Sequence, residues 1–383
     1  MEVRNIFKNG LVMSAAIWLA ACSSSSDNPD FSVDCNDCAV ITGVSADYAS
    51  STIDFAETSM MFSSQGGFAA QDYSDMRAVT YGDHFYRINR GSLSSIAKYS
   101  FADGVNPIWE FSVGADTNPY DVVFASETKA YVLLWESNEI LVIDPSVASN
   151  ADEADFIDEA ASIDLTAYDE GLGATAAAGI IDGSNLYVLL EGLDSTYAPQ
   201  TSRLIKIDTS TDTVTQALDL TVKNAGDMDL YGTNIYVAGK GRYASMNRPV
   251  ELTGGIEKID ISGMTMTSTL LVDDDDVNVG AQIMEVEIAS ASKGYLTRYN
   301  AWGDLDVITF DAGTGLVSNA PLTDYSSIDA RTIEIDNANQ LWVGIADFAA
   351  PRIDVVSTST DLLEGTVNLL NNPAAIRFAD TTN

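Results

Sequence analysis

Between Leu186 and Leu220 the chain reads LYVLLEGLDSTYAPQTSRLIKIDTSTDTVTQALDL. An unbroken apolar run gives way to a polar stretch, then to an apolar segment ending in Asp, an Asp-Thr-Ser-Thr-Asp turn and an alternating segment. Short apolar runs and strict alternation, bounded by Gly, Asn and Asp, predict β-strands joined by turns. The order returns as AYVLLWESNEILVIDPS from Ala130, IYVAGKGRYASMNRPVELTGGIEKIDISG from Ile235 and GYLTRYNAWGDLDVITFDAGTG from Gly294. Weaker copies are FYRINRGSLSSIAKYSFADG from Phe85, LWVGIADFAAPRIDVVSTSTD from Leu341 and VITGVSADYASSTIDFAET from Val40, which makes seven.

Upstream of every copy except the one at Val40 lies another short strand, such as NPYDVVFAS, AGDMDLYG or SIDARTIEID. The segment NPAAIRFAD near the C-terminus has no outer strands of its own, so the two fragments complete each other. Repeats of about 45 to 55 residues with four short strands are the signature of propeller blades. The expectation is an all-β chain, a seven-bladed β-propeller over residues 39–383, with one blade shared between the N- and C-terminal strands. Pairing the last strand with the first copy leaves no exposed edge. No long capped helical pattern appears, and no linker interrupts the repeat, which argues for one domain.

Residues 1–21 read differently. Arg4 and Lys8 precede an apolar run from Leu11 to Ala21, closed by LAAC, a pattern of a secretory signal with a lipobox. The run is too short to span a bilayer. In the resemblance to bacterial lipoproteins, cleavage leaves Cys22 as the lipidated first residue, and Ser23 fits outer-membrane sorting. The expected localisation is therefore the outer membrane, with contact to lipid through the anchor only. Residues 22–38 form a Ser- and Asp-rich tether ending in a Cys-x-x-Cys, Cys35 and Cys38. An exported, oxidising compartment makes a local disulfide the default reading of that pair.

Charge narrows the partners. The chain has 19 Lys and Arg against 56 Asp and Glu, a net charge of −37. Removing residues 1–21 takes away Glu2, Arg4 and Lys8 and leaves 17 basic against 55 acidic residues, or −38. Nucleic acid is excluded, because phosphate binding needs a basic footprint. The only histidine, His84, sits in a YGDH turn, so there is no Ser-His or Cys-His pair, and no cofactor is expected. The run Asp273 to Asp276 lacks the spacing of a calcium loop and reads as a solvated loop. Asp75, Asp121, Asp227, Glu285 and Asp329, at the starts of the upstream strands, could approach the ring axis, as the metal site of a lactonase-like hydrolase would require.

The stretch LIKIDTSTDTVTQALDL, with LYV before it and NAGDMDLYG after it, resembles the YVTN repeat of YncE-like propellers. That resemblance covers nearly the whole mature chain, but its motifs are structural. It implies a lipid-anchored seven-bladed propeller, and a monomer is expected. Lipid-anchored members of the group include cell-surface proteins that bind cobalamin or ferric siderophores and pass them to an outer-membrane transporter.

Segments between the apolar-Tyr strand and the Asp-ending strand all fall on one face of such a ring. They hold Arg87, Arg90, Arg203, Lys240, Arg242, Arg248, Arg298 and Arg352 against Asp47, Glu136, Glu139, Glu191, Asp194, Glu251, Asp304 and Asp347. One face is thus near neutral on a strongly acidic protein. The same segments carry Tyr48, Trp135, Tyr197, Tyr243, Tyr299, Trp302 and Phe348. Arg beside Tyr and Trp is the composition of binding hot spots. The expected ligand contacts are Arg87, Arg90, Trp135, Tyr197, Arg242, Tyr243, Arg298, Tyr299, Trp302, Phe348 and Arg352, and the expected ligand is a bulky anionic or polar-aromatic small molecule such as a metal chelate or corrinoid. The competing class is a protein-interaction or adhesive scaffold, which predicts a flat face with scattered aromatics.

Overall fold

The computed structural model describes residues 35, 37–59, 62–244 and 249–379. The signal segment, Cys22, the tether up to residue 34 and Arg248 lie outside the described residues. Seven antiparallel sheets succeed one another along the chain, and the inner strand of each packs against the inner strands of its neighbours to form a seven-bladed propeller. Among the described residues no helix is long and apolar enough to cross a membrane.

Blade 1 is built from both chain ends. The strands Cys38–Val44, Ser51–Glu57 and Ser64–Gln71 are completed on the axial side by Asn372–Phe378. Ala39 lies opposite Phe378 and Ile41 opposite Ile376, so the expected closure is present. Blades 2 to 5 and 7 each run consecutively from the axis outward through four strands, with inner strands Met76–Tyr81, Pro119–Ser126, Ala176–Asp182, Ala225–Tyr231 and Ala330–Ile335. Blade 6 departs from the four-strand expectation: its sheet has three strands, Gln282–Ser290, Lys293–Ala301 and Asp304–Phe310, and the outer position is marked only by a bridge between Phe310 and Val317.

Second strands are buried on both faces, which is why they read as unbroken apolar runs rather than alternating ones. Asn185–Leu190 is buried at five of its six positions, whereas the outer strand Thr213–Asp219 alternates between exposed and half-buried. The tyrosine of the repeat occupies the third position of the second strand in blades 2 to 6, as Tyr86, Tyr131, Tyr187, Tyr236 and Tyr295, and Trp342 takes that place in blade 7. All six are fully buried. Three of the tyrosine hydroxyls reach the next blade: Tyr131 donates to Asp212 at 2.6 Å, Tyr236 to the Ala312 carbonyl at 3.2 Å and Tyr295 to Asp361 at 2.8 Å. Lys129 and Lys293 donate to the same two carboxylates at 2.7 Å, so one structural clamp is used twice.

The Asp that ends the third strand folds the next turn. Asp208 accepts from the backbone N–H and hydroxyl of Ser210, and Asp260 does the same with Ser262. These donors, the serine hydroxyl foremost, hold both carboxyls below the usual range. An Asx turn of this kind explains the sequence signal without any ligand.

The apolar core is a ring of interfaces between blades. Val132 of blade 3 packs with Val79 and Ile88 of blade 2, and Leu186 of blade 4 with Tyr131 of blade 3. Blades 1 and 2 meet through Phe55 and Phe85, with ring centroids 5.1 Å apart. Cys35 and Cys38 are joined as a disulfide where the chain enters blade 1.

Candidate functional site

Inner strands are sheet edges, so their axial N–H groups need partners. Acidic side chains of the preceding blade supply them. Asp121 of blade 3 accepts from the Gly179 N–H, Asp227 of blade 5 from Val286 at 2.9 Å, and Asp229 from Ile288 at 2.8 Å. Glu285 and Glu287 of blade 6 accept from Ile333 and Ile335 of blade 7 at 2.7 and 3.2 Å. Glu334 of blade 7 takes Arg377 of blade 1 at 2.7 Å. These carboxylates hold neighbouring blades in register around the axis.

Crowding has an electrostatic consequence. Burial, reinforced by the Asp227 charge, pushes Glu285 up to about 8; burial and the two blade-5 aspartates, opposed by Arg377, bring Glu334 to about 7. Burial lifts Asp229 to about 6 and raises Glu287 well above the carboxylate range. Of the acidic residues expected at the axis, Asp121, Asp227 and Glu285 are there. Asp75 and Asp329 instead pair with Arg90 at 3.3 Å and Arg331 at 2.8 Å. Among the described residues no three His, Cys, Asp or Glu side chains are grouped to hold a metal ion.

The loop face is built by the connections between second and third strands. Its longest described arm, in blade 4, is pinned rather than slack: Asp194 accepts from the N–H groups of Thr196 and Ala198, and Leu193 bridges Pro199. Gly192 has a φ of +67°, and a Cβ there would lie 2.1 Å from the Thr201 carbonyl oxygen. The arm delivers Tyr197 onto Trp135, with centroids 6.1 Å apart and planes at 19°. Trp135 stacks in turn on Tyr120 at 5.7 Å and 19°, and the Arg90 guanidinium caps Tyr120 at 3.6 Å. The Trp135 indole N–H donates to Glu191 at 2.7 Å, which fixes the ring, and Leu193 and Ala177 pack around it. A cation and three rings thus form one column from the blade-2 loop to Tyr197, which is 59% exposed.

Lys240 stands nearby, 3.8 Å from Glu191. Burial lowers its pKa, but Glu191, Tyr243 and Tyr120 outweigh burial and leave it above the usual lysine value. Tyr243 meets Tyr299 edge-on at 5.9 Å, so these two expected contacts are also brought together. A second cluster gathers Trp302, which is 78% exposed, with Tyr48 at 6.2 Å and the Arg331 guanidinium at 5.9 Å. Phe348 projects alone and is 86% exposed.

Several arginines expected in the loops are placed otherwise, and the reason is the length of the strands. Arg87 lies within the strand His84–Asn89, 3% exposed, and bonds Glu110 and the Ala69 carbonyl. Arg298 and Tyr299 belong to Lys293–Ala301, and the supposed blade-6 loop is a two-residue turn, Trp302 and Gly303. Arg298 pairs with Asp306 at 2.5 Å and ties down the Val279 carbonyl. Arg352 pairs with Asp354 at 3.1 Å within its strand, and Arg242 with Glu251 across the base of its loop. Abundant carboxylates have captured these four cations. Asp274, expected in a solvated loop, is fully buried and accepts from the Gly254 N–H at 2.9 Å.

Sequence reasoning missed Tyr120, Arg77 and Arg331. All three sit at the beginning of inner strands, read only as strand starts. Their recurrence next to the Asp residues thought axial was the available signal.

No protein-family model matches the chain, and no curated protein matches it in sequence. Solved structures do share its fold. A candidate 6-phosphogluconolactonase from Bacteroides fragilis superposes with a TM-score of 0.60 at 12% identity, covering 94% of this chain and 100% of that one. A second such candidate, from Bacteroides uniformis, gives 0.60 at 10% identity over 90% and 100%. A protein of unknown function from Desulfotomaculum acetoxidans gives 0.57 at 11% identity over 89% and 98%. Likeness at this identity shows a common propeller architecture. The YncE-like resemblance is carried by the repeat motifs without a matching family model.

Proposed function

We propose that this protein is a small-molecule-binding propeller of the bacterial cell envelope, and that its loop face captures a ring-bearing anionic ligand such as a ferric siderophore or corrinoid. The observation that carries this reading is the column Arg90, Tyr120, Trp135 and Tyr197. Trp135 is fixed by Glu191, Arg90 is held by Asp75, and the outer ring is open to solvent. A planar or ring-bearing group stacked on Tyr197 extends the column, whose far end is the Arg90 guanidinium, itself paired with Asp75.

Chain direction supports display. Cys38–Val44 runs toward the loop at Ser45, so the polypeptide enters the ring at the opposite face. With Cys22 lipidated, the tether would hold that opposite face toward the membrane and turn the column outward, toward an outer-membrane transporter as recipient.

The test is titration of the mature protein with ferric siderophores and cobalamins. Tyr197→Ala and Trp135→Ala should each weaken binding by about 1–3 kcal/mol, the range for a buried aromatic anchor. Arg242→Ala and Arg298→Ala, whose charges are already paired, should bind like wild type. No binding at micromolar ligand, or equal loss in all four variants, would defeat the proposal. Lactones incubated with the protein and added divalent metal ions should show no turnover, which separates binding from the hydrolase class.

A further inference from the structure

Beneath the stacked column the ring axis opens into a cavity of about 460 Å³. Arg77 stands near its loop-face end. Asp121 and Asp227 line it at the level of Arg77, Asp229, Glu287 and the Glu334–Arg377 pair line it two residues further along, and Phe124 and Leu230 follow. Arg77 is set deep among inner strands, yet solvent reaches part of its side chain, as expected of a channel wall. Its guanidinium lies 5.2 Å from the Tyr120 ring centroid and, among the described residues, makes no hydrogen bond or ion pair with protein. In a protein where carboxylates have captured Arg87, Arg298 and Arg352, an axial arginine left without one is the exception.

The carboxylates around it are only half used. Asp227 and Glu287 each give one oxygen to the next blade, to Val286 and Ile335, and the second oxygen of each accepts from no protein donor among the described residues. An unpaired five-donor fork and carboxyl oxygens without a protein donor, among the described residues, therefore line one half-open cavity, together with the Glu334–Arg377 ion pair. Their failure to pair with each other is a matter of placement: they sit on blades 2, 5 and 6.

We propose that this cavity binds a small zwitterion, an α-amino acid or a close analogue, with its carboxylate on Arg77 and its ammonium between Asp227 and Glu287. A guanidinium accepts a planar carboxylate through two parallel bonds, and an ammonium offers three donors to oxygens on different strands. A simple anion satisfies Arg77 but meets the carboxylates around it, and a simple amine leaves the arginine bare. A side chain on the ligand would lie against Phe124 and Leu230. The site adjoins the stacked column, because Arg77 faces Tyr120, but its contacts to the ligand are Arg77, Asp227 and Glu287 and not the rings.

The experiment is calorimetric titration of the mature protein with the standard amino acids, and with acetate and methylamine as half-ligands. At least one amino acid should bind saturably, with acetate and methylamine each about tenfold or more weaker. Arg77→Gln and Asp227→Asn should each lower the affinity about tenfold or more, the scale for removing one partner of an enclosed charged contact. Met264→Ala, at an almost fully exposed residue of the turn after Gly255–Asp260, should leave it unchanged. Phenylglyoxal labelling of folded wild type gives a readout that needs no variant: the bound amino acid should protect Arg77, found by peptide mass. No saturable binding by any amino acid up to about 10 mM, a dissociation constant worth less than about 3 kcal/mol, or labelling of Arg77 indifferent to ligand would overturn the proposal. Binding by acetate alone would overturn it in favour of an anion site.

Discussion

Glu285→Gln isolates the charge of one axial carboxylate while keeping its architectural role. The amide oxygen can still accept from the Ile333 N–H, now received at 2.7 Å. Burial and the neighbouring Asp227 charge push the Glu285 carboxyl from 4.5 up to about 8. Below pH 4.5 folded and unfolded chains both hold this proton, and its contribution to stability is complete. Between those values the folded chain holds more protons than the unfolded one, so stability falls as pH rises, and the loss is complete above pH 8. At about 1.4 kcal/mol per pH unit the ceiling is about 5 kcal/mol. Solvent in the channel reduces it, so we expect about 2–4 kcal/mol. Glutamine cannot ionise. The variant should therefore match wild type at pH 4 and exceed it by that amount at pH 9, in urea melts followed by tryptophan fluorescence. A variant less stable than wild type at pH 9, or a difference that does not change with pH, would show that the ionised carboxylate stabilises the ring and would refute the argument.

Two further outcomes follow from the same structure and a third from the sequence. Asp212→Asn keeps a residue that tolerates the local φ of 52° but removes the charge shared by Lys129 and Tyr131, and should cost about 1–3 kcal/mol in chemical denaturation. Ending the chain after Asn371 deletes the inner strand of blade 1 and leaves Cys38–Val44 as an open edge, so the truncated protein should aggregate or lose its sharp thermal transition. Unchanged melting would contradict closure. If Cys22 carries the lipid, Cys22→Ala should move the protein from the membrane fraction to the soluble one; a variant that still sediments with membranes after a salt wash would end the lipoprotein reading.

What the sequence determined was whatever depends on neighbours along the chain. Seven returns of an apolar-Tyr strand and an Asp-ending strand, and a first copy lacking its inner strand, were enough for the number of blades and their closure, since each blade is a local meander. The turn role of Asp208 and Asp260 follows from the Ser two residues on. Tertiary structure alone decided which cations are spent. Arg87 and Arg90 are three residues apart and looked equivalent, yet Arg87 is buried against Glu110 while Arg90 caps Tyr120, a residue of another blade. Arg77 looked like an ordinary strand residue, because what distinguishes it is a partner it lacks across the axis. Pairings between blades join residues tens of positions apart, and no local period encodes them. The acidic inner strands show the same division: their composition was visible, but their task of capping the next blade's edge appears only when the ring is closed.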